Sequence, residues 1–217
     1  MFKYIMERNV EFNSLLDVCE FNFIYVFKNF NVNCSMEGYA HIIEHIIVRI
    51  IKKNFLENSR DFISCYGYTE YDHINITVKF IFNQKNLEII HKTLKSIDGY
   101  LFSSIDYDIV KNELIEEYFK YEDDSIKKLQ IIKKITNNKY LFLPMGKKSI
   151  LTDTDIKKVR SMFRYLYDNS YKYIIIFSNK EKYLKKYLNS IGCIEYKVND
   201  NKEIGISLKK KNILSNK

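Results

Sequence analysis

Two histidines bracket a glutamate in His41-Ile42-Ile43-Glu44-His45, a set of residue types and a spacing suited to zinc-dependent hydrolysis. On a helix spanning residues 38–53, His41 and His45 stand four positions apart, so both imidazoles leave one face and can share one ion. Glu44 precedes the second histidine and falls beside the ion rather than on it. A carboxylate there can take a proton from water acidified by the metal, which makes it the candidate general base. Catalytic zinc normally takes a third protein ligand and keeps one position for water, so a further carboxylate or histidine must come from elsewhere. Manganese and cobalt accept the same donors.

The flanking residues Ile42, Ile43, Ile46, Ile47, Ile50 and Ile51 mark a largely buried helix. A lone buried histidine is usually a hydrogen-bonded core residue. Here two of the chain's four histidines bracket a glutamate at metal-ligand spacing, which packing alone does not require.

Gly38-Tyr39-Ala40 stands directly before His41, and the inverted order His-x-x-Glu-His in that setting resembles the M16 peptidases, the family of insulin-degrading enzyme, pitrilysin and mitochondrial processing peptidase. The resemblance runs from about residue 20 to 195. Cys65 to His73 and the strand-like Ile74 to Phe80 are similar to the family's Asn-Ala-x-Thr segment and the strand after it, with Tyr66-Gly67 where the family has the small pair near the substrate backbone. Val110 to Glu117 resembles the helix of the third ligand, and Pro144-Met145-Gly146, Ser149 to Ile156, Phe163 to Tyr167 and Tyr173 to Phe177 follow the closing pattern.

The resemblance implies His41, His45 and Glu113 as zinc ligands, Glu44 as base, and Tyr66 and Gly67 as substrate-binding positions. Glu113 lies 68 residues beyond His45, and Glu117, one turn later on nearly the same face, is the reserve ligand. Asp106 precedes Glu113 by seven residues, nearly two turns, and is expected to orient the site from behind. A solvated acidic face is the plainer reading of Glu113, Glu116, Glu117, Glu122, Asp123 and Asp124. The implied fold is α+β, one M16-type domain with an antiparallel β-sheet and helices packed on one side.

Local patterns support such a fold. Phe21 to Phe27, Phe62 to Tyr66, Ile74 to Phe82 and Tyr173 to Phe177 read as strands, and Glu203 to Leu208 as a possible last one. The motif helix is expected to end at Lys52-Lys53-Asn54. Asn83 reads as the N-cap of a second helix, residues 104–135 as a long third, Thr152 or Asp153 as the cap of a helix running to Tyr165, and Lys180 to Ser190 as a last helix.

The chain's 217 residues, 46% hydrophobic and 29% charged, suit one substantial core, with residues 1–208 as the peptidase-like lobe and 209–217 as a basic polar tail. One Pro and six Gly beside abundant Lys, Asn, Ile and Tyr suggest AT-rich coding, which accounts for part of the net charge of +8. No dense basic stripe with interleaved aromatics points to nucleic acid, and an acidic peptide fits the charge better. Four widely spaced cysteines without a Cys-x-x-Cys pair argue for free thiols in a reducing compartment. Early charges in the first nine residues do not suit a signal peptide, and no apolar run reaches membrane length, so a cytoplasmic protein is expected.

The expected function is a zinc endopeptidase lobe acting on short or unfolded peptides, by analogy a leader or precursor. A second M16-like chain, or another copy of this one, would close the chamber as a heterodimer or homodimer. The alternative is a non-catalytic lobe that presents peptides to an active partner.

Overall fold

Alternation of Cys19, Phe21, Phe23 and Tyr25 with shorter or polar residues builds the sheet's central strand, because successive side chains on a strand leave opposite faces. The computed structural model of the protein describes residues 1–7, 17–28, 38–99, 102–136, 145–146 and 148–196, and for residues 121–125, 129 and 136 the backbone alone. Its strands are β1 (Lys3–Glu7), β2 (Val18–Phe27), β3 (Phe62–Thr69), β4 (His73–Ile81), β5 (Ser170–Phe177) and β6 (Ile194–Glu195). The helices are α1 (Tyr39–Asn58), α2 (Gln84–Asp98), α3 (Ser104–Thr136), α4 (Lys148–Asp153), α5 (Ile156–Asp168) and α6 (Glu181–Ser190).

The described strands form one sheet in the order β3-β4-β2-β5-β1-β6. The four strands β3, β4, β2 and β5 pair antiparallel, as expected. β1 and β6 extend the sheet in parallel beyond β5. The first residues thus form a strand, which their early charges disguise: Tyr4 and Met6 face the core beside Ile174 and Ile176, and Lys3 and Glu7 face away.

One sheet face carries the core. Phe21, Phe23 and Tyr25 of β2, Ile74, Ile76, Val78 and Phe80 of β4, and Ile174 and Ile176 of β5 are all buried there. The Phe80 ring lies 5.4 Å from both Phe21 on the neighbouring strand and Phe55 of α1, so sheet and helix interlock through aromatic contacts. α1 buries Ile42, Ile43, Ile46, Ile47, Ile50, Ile51 and Phe55. The site-bearing helix is therefore held almost all round.

α1 runs past Lys52-Lys53-Asn54 to Asn58 and stops at Ser59, because the apolar spacing continues through Phe55. At its start Gly38 takes φ 85°, and a Cβ there would meet the Gly146 Cα at 2.9 Å, so glycine is required for the loop to approach. The expected Asn83 cap is present, its side chain accepting from the Asn86 N–H at 2.8 Å. The later helix is divided: Thr152 and Asp153 end the short α4, and Asp155 caps α5 by accepting from the Lys158 N–H at 2.7 Å. Pro144, Cys34 and the suggested strand at Glu203 to Leu208 lie outside the described residues.

Replacing Asp155 by Ala is expected to lower unfolding stability by about 1 kcal/mol. Asp153→Ala should change it by less than about 0.5 kcal/mol. Urea unfolding of the two variants, followed by circular dichroism, compares the caps directly.

Candidate metal centre

The antiparallel crossing of α1 and α3 decides which acidic residue meets the histidines. Arg49 pairs with Asp106, His45 faces Glu113 and Glu117, and His41 reaches Glu117, so positions rise along one helix as they fall along the other. Tyr107, Val110, Leu114 and Tyr118 form the buried stripe of α3, leaving Glu113 and Glu117 on the flank that opens to the cleft.

Glu117 Oε2 lies 3.2 Å from His45 Nε2 and 3.7 Å from His41 Nε2. His41, His45 and Glu117 place their donor atoms within 4.8 Å of one another, the one such group among the described residues. Glu113 stands apart, about half exposed, with its carboxylate 3.9 Å from His45 Nδ1. In this geometry the reserve residue Glu117, rather than Glu113, brings its carboxylate to both imidazoles and could complete a donor group with them. Asp106 does not reach the donors either. It accepts from Arg49 Nε at 3.1 Å and from the Ser103 hydroxyl at 2.6 Å, tying the start of α3 to α1. Two turns before Glu117 stands the buried Val110, which offers no second carboxylate.

The donor set fits zinc. Ligands around a tetrahedral ion with bonds of ~2.1 Å stand roughly 3.4 Å apart, close to the separations from Glu117 to the two histidines. Burial and the neighbouring His45 push the His41 imidazole down to about 4, which keeps it in the neutral form a metal requires. Its Nδ1 is buried without a hydrogen-bond partner. At His45 burial opposes the charged form, but the Glu117 hydrogen bond and nearby carboxylates outweigh it and raise the imidazole above its ordinary value. The His45 hydrogen bond in turn holds Glu117 below the usual carboxylate range.

Glu44 lies beside this group with its own support. The residue is only 4% exposed, and burial pushes its carboxyl up to about 7 against the opposing influence of His45 and Thr69. Thr69 donates its hydroxyl to Glu44 Oε2 at 3.1 Å, and a Cβ on Gly67 would stand 2.6 Å from Oε1. Glycine at 67 is therefore what lets the carboxylate lie against β3. Thr69 was not evident as a site residue in the sequence. Its signal was the strand period, which sets Cys65, Gly67 and Thr69 on the face of β3 that meets α1.

A cleft of about 1170 Å³ opens over the group, bounded by α1, by residues 66–69 of β3, by α3 and by Met145. Tyr66 lines it from the strand and is half exposed. Among the described residues β3 is the last strand of the sheet, and its outer edge, with no described strand paired to it, flanks the cleft.

No family model and no curated protein matches this sequence. Solved structures match its fold. The periplasmic protease PqqL from Escherichia coli is 14% identical with a TM-score of 0.66, over 92% of this chain and 24% of that one. The first half of PqqL is 13% identical with a TM-score of 0.67, over 92% of this chain and 46% of that one. A peptidase M16 inactive domain from Pseudomonas fluorescens is 10% identical with a TM-score of 0.60, over 90% of this chain and 50% of that one. The chain thus has the fold of an M16-type peptidase domain. It spans about a quarter of full-length PqqL and just under half of that protein's first half. Since an inactive domain shares the fold, activity has to be argued from the site.

Replacing Glu117 by Ala is expected to weaken zinc binding at least about 100-fold, more than loss of an outer-shell partner costs. Glu113→Ala should change it less than about threefold, and competition with a chromogenic chelator separates the two. Gly67→Ala should retain zinc yet lower stability by about 1–3 kcal/mol, because the methyl group and the Glu44 carboxylate need the same space. Metal analysis and thermal unfolding of that variant test both parts.

Proposed function

We propose that this chain is the zinc-bearing unit of a peptidase that hydrolyses short or unfolded peptides. The observation that carries the reading is the juxtaposition of a buried carboxylate, seated on Gly67 and held by Thr69, with a three-donor group of two histidines and a glutamate. A unit kept only to present peptides needs neither a base in that place nor a glycine to admit it.

His41, His45 and Glu117 would hold the ion, whose contribution when bound is Lewis acidity toward a carbonyl and a water. Glu44 takes the proton from the attacking water and returns it to the leaving amine. Its carboxyl, raised to about 7 by burial, is matched to both transfers near neutral pH. Thr69 and Gly67 fix where that proton is held. The substrate backbone pairs with the free edge of β3, so main-chain hydrogen bonds align it over the donors and leave side-chain choice to the cleft walls.

A further M16-like chain, different or identical, closes the cleft from the side that α1 and β3 leave open. The partial coverage of PqqL supports this, since that protease contains about four times the matched length. Trimming of a precursor or leader peptide is the use we favour, in a cytoplasmic setting.

Glu44→Gln is expected to keep about one zinc per chain and lower peptide hydrolysis by roughly 10²–10⁴-fold. His45→Ala should lose metal and activity together. Elemental analysis and a quenched-fluorescence peptide pool, assayed with and without an M16-like partner, provide the readouts. A zinc-loaded wild type no faster than Glu44→Gln would sink the peptidase reading.

A further inference from the structure

The face of α1 that carries the metal donors does not end with them. His41, His45, Arg49, the adjacent Lys52 and Lys53, and Leu56 recur along the helix at steps of three or four residues, and all line the same cleft. The face therefore passes from donors to cations within two turns. Helix-dipole complementarity does not account for the cations, because α1 has no basic residue in its last turn and the dipole's influence is confined to that turn. Arg49 and Lys53 share one carboxylate, Asp106, at 3.1 and 3.6 Å, which leaves the pair with an excess of positive charge. Lys52 is exposed and makes no ion pair with any described residue. Glu57 is the one acidic side chain lining this end of the cleft.

Resting on the peptidase reading above, we infer that Lys52, backed by Arg49 and Lys53, selects an acidic substrate side chain to one side of the scissile bond. Lys52 follows His45 by seven residues, about 10 Å along the helix axis. An extended peptide rising ~3.3 Å per residue covers that distance in about three residues. Because α1 leads into β3 through a short turn, the Lys52 end of the cleft lies beside the first residues of that strand. Antiparallel pairing with β3 would carry the peptide toward Lys52 after the bond is passed, so the acidic residue falls on the carboxyl-terminal side of the cut. Leu56, 68% exposed beside Lys52, offers an apolar surface for the stem of a glutamate.

The test is fluorescence anisotropy with two labelled, unstructured decapeptides that differ only by Glu or Lys at one central position, against the full chain without metal. Wild type is expected to bind the Glu peptide about tenfold more tightly at low salt, with the preference shrinking as salt rises. Lys52→Ala should level the two affinities, and Lys52→Glu should reverse their order. Both variants alter an exposed side chain, and circular dichroism verifies their fold. Equal binding by wild type, a preference unchanged in Lys52→Glu, or no saturable binding of either peptide overturns the inference. Loss of the peptidase reading shows differently, as absent zinc or absent hydrolysis while the charge preference persists.

Discussion

A carboxylate buried against the glycine of a strand is the constraint from which this site follows. Removing Glu44 from water disfavours its charged form, and the protein meets that cost with one hydroxyl, one nearby imidazole and a glycine that yields space. The approach is possible only because α1 is pinned to the sheet by Phe55, Phe80 and the isoleucines on either side of the motif. The apolar residues that look like simple core therefore hold the Glu44 carboxylate against β3. Burial also explains why a metal is a natural occupant of the group. The neutral His41, whose Nε2 faces Glu117, and the His45–Glu117 pair present their donor atoms toward one another, where a cation could be shared.

The second determinant is the crossing of α1 and α3. Its register is set by contacts away from the donors, by the Arg49–Asp106 pair at one end and the Tyr107, Val110, Leu114 and Tyr118 stripe along its length. Asp106 therefore affects the site by positioning a helix, not by touching a ligand. A slip of one turn that exchanged Glu117 for Glu113 would also break the Arg49–Asp106 pair.

That register explains what was and was not legible in the sequence. His41, Glu44 and His45 were evident because their relation is local to one helix, where spacing alone fixes direction. Which carboxylate joins the two histidines depends on how α1 (Tyr39–Asn58) and α3 (Ser104–Thr136) cross, which no local period encodes. The Arg49–Asp106 pair fixes the antiparallel direction of the two helices, but counted residue by residue it sets Leu114 opposite His41, next to Glu113, so it does not single out Glu117. The antiparallel core of the sheet was similarly readable from alternation in β2 and β4. β1 was hidden because it is short, charged at both ends and paired with a strand from far along the chain. The start of α5 was misplaced because Thr152, Asp153 and Asp155 are all competent caps, and only tertiary packing of the intervening Thr154 chooses among them.

The edge position of β3 connects these local facts to function. A site enclosed within the sheet would have its backbone groups satisfied by neighbours, and a peptide could be held only by its side chains. Here the strand that supports the Glu44 carboxylate is also the strand at the sheet's edge among the described residues, so on the proposed reading one element would both seat the proton acceptor and align the substrate. Among the described residues nothing covers the side of the cleft that α1 and β3 leave open. On the proposed reading, a second unit over this cleft would exclude water and so strengthen the electrostatics of the carboxylate and the donor group.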